Sequence, residues 1–166
     1  MCDDQRRYVA NLQQRERRLP HWEAPGETYF VTFCLRRPPA VDLSEPQYAW
    51  LVCAALSHFD GTRYVLFDFV VMPDHVHAIM KPVVRDGRCE ALSAIMQSLK
   101  GWLARQINLR AARKGPLWQD EAYDHIIRDT SDYERKASYI LDNPRRQGLV
   151  ECATDWPWWG TGSGVV

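Results

Sequence analysis

No apolar run in this 166-residue chain approaches the roughly 20 residues that a membrane-spanning helix needs. The longest candidates, residues 49–56 and 67–72, have the length of core elements, so no membrane partner is expected. The opening Met1-Cys2-Asp3-Asp4-Gln5-Arg6-Arg7 lacks the apolar stretch of a secretory signal, which points to a cytoplasmic protein. Cysteine is scarce and scattered: Cys2, Cys34, Cys53, Cys89 and Cys152 are odd in number and include no Cys-x-x-Cys pair. That argues against a disulfide framework and against a zinc knuckle. Neither sign of charge is in excess, with 21 Lys plus Arg against 21 Asp plus Glu, so net charge alone signals no nucleic-acid partner. Repeats and low-complexity segments are also lacking.

A 46% apolar composition over this length suits one domain with a continuous core on a sheet. Its expected parts are a basic arm (1–22), a core (23–145) and a C-terminal tail (146–166). Charge is unevenly spread. Residues 85–114 carry Arg85, Arg88, Lys100, Arg105, Arg110, Arg113 and Lys114 against only Asp86 and Glu90. Such an element suits phosphates, and it equally suits a solvated helix face.

The run Thr28-Tyr29-Phe30-Val31-Thr32-Phe33-Cys34-Leu35, rich in β-branched and aromatic residues, predicts a first strand. Ser44 is the expected cap of a helix to about Phe59, with Tyr48, Leu51, Val52, Ala55 and Leu56 on one stripe. Residues 64–72 and 75–81 predict two antiparallel strands joined by a tight Pro73-Asp74 turn. Leu92, Ile95, Met96, Leu99, Leu103 and Ile107 mark a long basic helix over about 90–112, broken by Gly115-Pro116. A fourth strand is expected at 123–128. A last helix should start at Ser131, where Ser131-Asp132-Tyr133-Glu134 has capping-box form, and end near Asn143, ahead of Pro144. The order β-α-β-β-α-β-α makes the fold class α+β: a ferredoxin-like split βαβ sandwich, an antiparallel sheet covered by helices on one face, with an added C-terminal helix. From Trp156 onward an aromatic turn running into a loose end is expected.

His75-Val76-His77 opens a strand, so both imidazoles point to one face, about 7 Å apart along the chain, and Val76 to the other. Two neutral imidazoles so placed can chelate a divalent ion, or be sheet histidines bonded to neighbours. Asp74 reads as an orienter of these rings or simply as a turn residue. On the last helix Tyr133, Ala137, Ile140 and Leu141 form the apolar stripe, whereas Asp132, Lys136, Tyr139 and Asn143 share a polar face. Tyr139 is therefore not simple core. Its phenol is a potential nucleophile on phosphorus given a nearby cation, or a surface tyrosine. Asn143, one turn on, is placed to complete a site with the histidines. Tyr123 and Tyr133 compete for the nucleophile's role, and His125, in a strand-like run, reads as structural.

Val70-Val71-Met72-Pro73-Asp74-His75-Val76-His77, then Leu117-Trp118-Gln119, then Tyr139-Ile140-Leu141-Asp142-Asn143-Pro144, then Gly148-Leu149-Val150 together resemble the REP-associated tyrosine transposases. These are bacterial relatives of the single-tyrosine insertion-sequence transposases with a His-hydrophobic-His (HUH) motif. The likeness starts in the arm at Leu19-Pro20-His21-Trp22 and reaches about Trp158. It implies that His75 and His77 bind Mg²⁺ or Mn²⁺, that Tyr139 is the catalytic nucleophile, and that Asn143, where related transposases often carry Gln, is the third ligand. It further implies endonuclease and strand-transfer action on single-stranded DNA bearing hairpins, the repetitive extragenic palindromes, through a 5′-phosphotyrosine link in a monomer or homodimer near the nucleoid. Arg6, Arg7, Lys100, Arg105, Lys136, Arg145 and Arg146 are the candidate phosphate contacts. The alternatives are a non-catalytic single-strand-binding module on the same fold and a zinc hydrolase with a third imidazole.

Overall fold

Alternation along Tyr29–Cys34 (β3) sends Tyr29, Val31 and Phe33 to one face of a sheet and Phe30 and Thr32 to the other. That strand is an interior strand in the computed structural model, which describes residues 13–15, 21–23, 26–120 and 122–164. Gln13–Arg15 (β1) and His21–Glu23 (β2) pair with each other as a short antiparallel ribbon. Arg6 and Arg7, with most of the expected arm, lie outside the described residues.

The main sheet adds Tyr64–Val71 (β4), His75–Pro82 (β5), Tyr123–Ile126 (β8) and Trp159–Thr161 (β9) in the order β8-β3-β5-β4-β9, with every neighbour antiparallel. Val84–Arg85 (β6) and Arg88–Cys89 (β7) form a small ribbon beyond β5. The first four strands in that order are the split βαβ arrangement of a ferredoxin-like fold. Pro46–His58 (α1) and Leu92–Arg110 (α2) pack on one sheet face, and α2 buries the stripe from Leu92 to Ile107 that its periodicity predicts. Trp118, in the Leu117-Trp118-Gln119 segment, bridges to Leu35 just beyond β3, and Gln119 donates to the carbonyl of Cys34, closing the sheet end. No helix of the described residues is long and apolar enough to cross a membrane.

Several local expectations are corrected. The third helix, Thr130–Arg146 (α3), packs on the opposite sheet face from α1 and α2, against Phe30, Val70, Met72 and Ile79. The expectation of helices on one face fails because β3, β4 and β5 are apolar on both faces, and a sheet apolar on both sides needs two covers. Ser44 does not cap α1: its amide and hydroxyl donate to Asp42, Glu45 occupies the cap, and Pro46 opens the helix, where a missing N–H costs nothing. Asp129, not Ser131, caps α3, accepting from the Asp132 amide. The same helix runs through Pro144 to Arg146, because only one bond to the preceding turn is lost and the end is then closed. Gly148, at φ 71°, donates to Arg145 and Leu149 donates to Pro144, a left-handed closure suited to glycine.

The tail is not a loose end through residue 164. β9 adds a fifth strand beside β4, Trp156 Nε1 donates to the carbonyl of Val71, and Asp60 receives the amide and hydroxyl of Ser163. Gly162 makes this approach possible: a Cβ there would lie 2.6 Å from both the carbonyl oxygen and Cβ of Leu66. Gly162→Ala is expected to detach this segment from the sheet edge and to cost about 1–3 kcal/mol, read as a lower thermal midpoint with early proteolysis after Gly160.

Candidate active site

β5 starts directly after the tight turn, and its first and third residues put His75 and His77 on the α3 face with ring centroids 4.6 Å apart. Thr32 lies opposite His77 in the β3–β5 register, and its Oγ1 is 2.7 Å from His77 Nδ1. Asp74 Oδ1 lies 2.6 Å from His75 Nδ1. Phe30 stacks on the His77 ring at 5.2 Å and 27°. His77 is thereby held on three sides and only 5% exposed.

Tyr139 comes down on this pair from α3. Its ring meets His77 edge-on at 5.2 Å and Phe30 at 6.0 Å. Within this chain the Tyr139 ring and the two histidine rings therefore lie together. The polar face read from the sequence is not a solvated one: Asp132 and Asn143 are buried, and Lys136 and Tyr139 are half-buried against the sheet. Lys136 Nζ sits 4.8 Å over the Phe30 ring, and the Arg146 guanidinium 5.4 Å over the Tyr139 ring. A groove of about 560 Å³ along the outer side of α3 opens onto Tyr139 between Ser138, Asp142 and Arg146.

Two buried atoms here have no hydrogen-bond partner, His77 Nε2 and Asn143 Oδ1. Leaving such atoms unsatisfied costs about 1–3 kcal/mol each, so natural proteins rarely do it without a use. Burial pushes the His77 imidazole down to about 3, helped by the neighbouring His75 and Lys136 charges and opposed by Asp74, so the ring is neutral with a lone pair to give. An imidazole nitrogen and an amide oxygen, each bare and buried, are donor types that suit a divalent ion, and Asn143 stands one helical turn after Tyr139 on α3. No group of three or more His, Cys, Asp or Glu side chains placed to hold a metal occurs among the described residues.

The competing residues are otherwise engaged. Tyr133 donates its hydroxyl to Asp68 at 2.7 Å, and burial together with that carboxylate pushes its phenol up to about 12. Tyr123 is 51% exposed on edge strand β8, in register with Thr32 but one strand further from His77. His125 Nε2 lies 3.1 Å from Asp132 Oδ2, joining β8 to α3 in a structural role.

No protein-family model matches the chain. It is 29% identical over 132 residues to the REP-associated tyrosine transposase of Escherichia coli (strain K12), an alignment covering 80% of this chain and 74% of that protein. A solved structure of a REP-associated tyrosine transposase bound to a REP hairpin superposes with a TM-score of 0.67 at 28% identity, covering 89% of this chain and 82% of that one. The chain is a relative of the REP-associated tyrosine transposases. Its function is accordingly of the transposase type, that of an enzyme.

For a REP-associated tyrosine transposase relative, the basic residues named from the sequence divide sharply. Lys136 and Arg146 reach the site. Arg145 is held by Asp142 at 2.6 Å. Lys100 donates to the carbonyl of Gln119, and Arg105 is exposed on α2, so both sit on the helix that covers the other sheet face. Thr32 and Phe30 were missed by sequence reasoning. The signal that finds them is the strand order, since once β3 lies beside β5 the residues opposite Ile79 and His77 are fixed.

Proposed function

We propose that this chain is a metal-dependent single-stranded DNA endonuclease and strand transferase that forms a 5′-phosphotyrosine link through Tyr139 on hairpin DNA. The observation that carries the reading is the approach of Tyr139 to a neutral His77 whose buried Nε2, like Asn143 Oδ1, is unpartnered. His75, His77 and Asn143 would hold Mg²⁺ or Mn²⁺, which when bound supplies Lewis-acid polarisation of a phosphate oxygen. The chain's own groups do the rest. Tyr139 Oη attacks phosphorus, the bond from phosphorus to the 3′ oxygen breaks, and the 3′-hydroxyl leaves with a proton. Lys136 and Arg146 lie where phosphate charge would collect. Because one phosphoester replaces another, a second 3′-hydroxyl can reverse the step and join new ends without ATP.

The hairpin substrate is drawn from the relative that was solved bound to a REP hairpin. The test is to incubate the protein with Mn²⁺ and single-stranded hairpin oligonucleotides and look for a covalent protein–DNA band on a denaturing gel. The band is expected with metal and not with EDTA. Tight hairpin binding with no band under any divalent metal would put a binding module in place of the enzyme.

A further inference from the structure

We propose that Thr32 and Asp74 are positioning residues that fix His77 and His75 with Nδ1 protonated and Nε2 bared toward the site, an inference resting on the metal-binding reading above. A carboxylate only accepts, so the 2.6 Å contact from Asp74 Oδ1 places the hydrogen of His75 on Nδ1. A hydroxyl can donate or accept, so the 2.7 Å contact of Thr32 does not by itself settle His77. The metal-binding reading does, through the far side of the ring. His77 Nε2 is buried without a partner, and a hydrogen there would be a stranded donor pointing at the unpartnered side of the site. A lone pair there is what a cation takes. Nδ1–H donating to Thr32 Oγ1 is the arrangement that satisfies one nitrogen and leaves the other as a ligand.

The backbone makes both contacts nearly obligatory. Thr32 and His77 are directly opposed across an antiparallel pair, so their side chains share a face at close range. Asp74 immediately precedes His75 in the turn, and its backbone oxygen accepts from the Leu35 amide, which ties the turn to the end of β3. Phe30 on the face of the His77 ring and Tyr139 at its edge leave little room for a flip. The two rings are supported differently: His75 by a carboxylate, His77 by a neutral hydroxyl.

The experiment pairs long-range ¹H–¹⁵N NMR of the imidazoles in metal-free full-length protein with calorimetric titration of Mn²⁺, on wild type, Thr32→Val, Thr32→Ser and Asp74→Ala. Valine matches threonine in shape and suits a strand, so circular dichroism should be unchanged. Wild type is expected to show Nδ1–H on both rings. Thr32→Val should move the His77 hydrogen toward Nε2 and weaken Mn²⁺ binding about 10- to 100-fold, with Thr32→Ser restoring both. Asp74→Ala should do the same at His75. An Nε2–H tautomer at His77 in wild type overturns the proposal, as does a Thr32→Val protein with unchanged tautomer and Mn²⁺ affinity. Expected tautomers that respond to the substitutions in a protein that binds no Mn²⁺ would uphold the positioning and remove the metal reading instead.

Discussion

Replacing Tyr139 with phenylalanine is expected to leave a folded protein that still binds hairpin DNA but whose covalent capture of DNA falls below roughly one thousandth of the wild-type rate. The change removes one oxygen. The ring contacts to His77 and Phe30 and the Arg146 guanidinium above it need only the aromatic system, and all of them survive. The Tyr139 hydroxyl has no hydrogen-bond partner among the described residues, so removing it strands no donor and the thermal midpoint should hardly move. Tyr133→Phe is the matched control on the same helix. Its hydroxyl bonds to Asp68, so that variant should lose about 1–2 kcal/mol of stability and keep its adduct. A Tyr139→Phe protein that still forms the band would move the nucleophile to Tyr123 or elsewhere.

Asn143→Ala should separate stability from metal binding, with opposite signs. A buried side chain that is truncated ordinarily costs stability through the cavity it leaves. Here the lost atoms include an acceptor with no partner, and alanine is the better helix former by up to about 0.7 kcal/mol. The metal-free variant should therefore melt at or slightly above the wild-type temperature. Mn²⁺ at a hundredfold excess over its dissociation constant should stabilise wild type by about 2.7 kcal/mol, or roughly 5–10 °C for a chain of this size. At the same concentration the variant should gain almost nothing, and its adduct yield should fall with the metal. Differential scanning calorimetry with and without Mn²⁺ reads both effects. A variant that melts early without metal and still gains the full shift would make Asn143 an ordinary packing residue.

What could be read from the sequence follows from how local each signal is. The α2 stripe from Leu92 to Ile107 was legible because a 3.6-residue period is written in adjacent turns. The placement of His75 and His77 on a shared face was legible because strand alternation needs only their spacing. The side of the sheet chosen by α3 was not, because β4 is apolar on both faces and its period cannot say which layer takes which face. β9 was hidden for a different reason. Trp159-Gly160-Thr161 is only three residues long with a glycine at its centre, too short for alternation to show, and it is placed as a strand by the edge of β4 and the Asp60 carboxylate that receive it. Thr32 was invisible as a partner of His77 because 45 residues separate them and only the strand order joins them. The end of α3 was misplaced by trusting Pro144 over the Gly148-Leu149 closure that follows it.

The two sheet faces are unequally loaded. Among the described residues, one carries a cluster of 25 buried residues with α1 and α2, and the other six with α3. Tyr139, the proposed nucleophile, is thus mounted on the lighter layer. Local opening costs scale with the apolar contact an element must give up, so lifting α3 should require a fraction of the global unfolding free energy. The histidines stay behind on β5, whose opposite face is anchored in the larger cluster. Under the proposed function, a tyrosine joined to a DNA end would swing with its helix over a stationary floor of histidines, a moving arm above a fixed anvil.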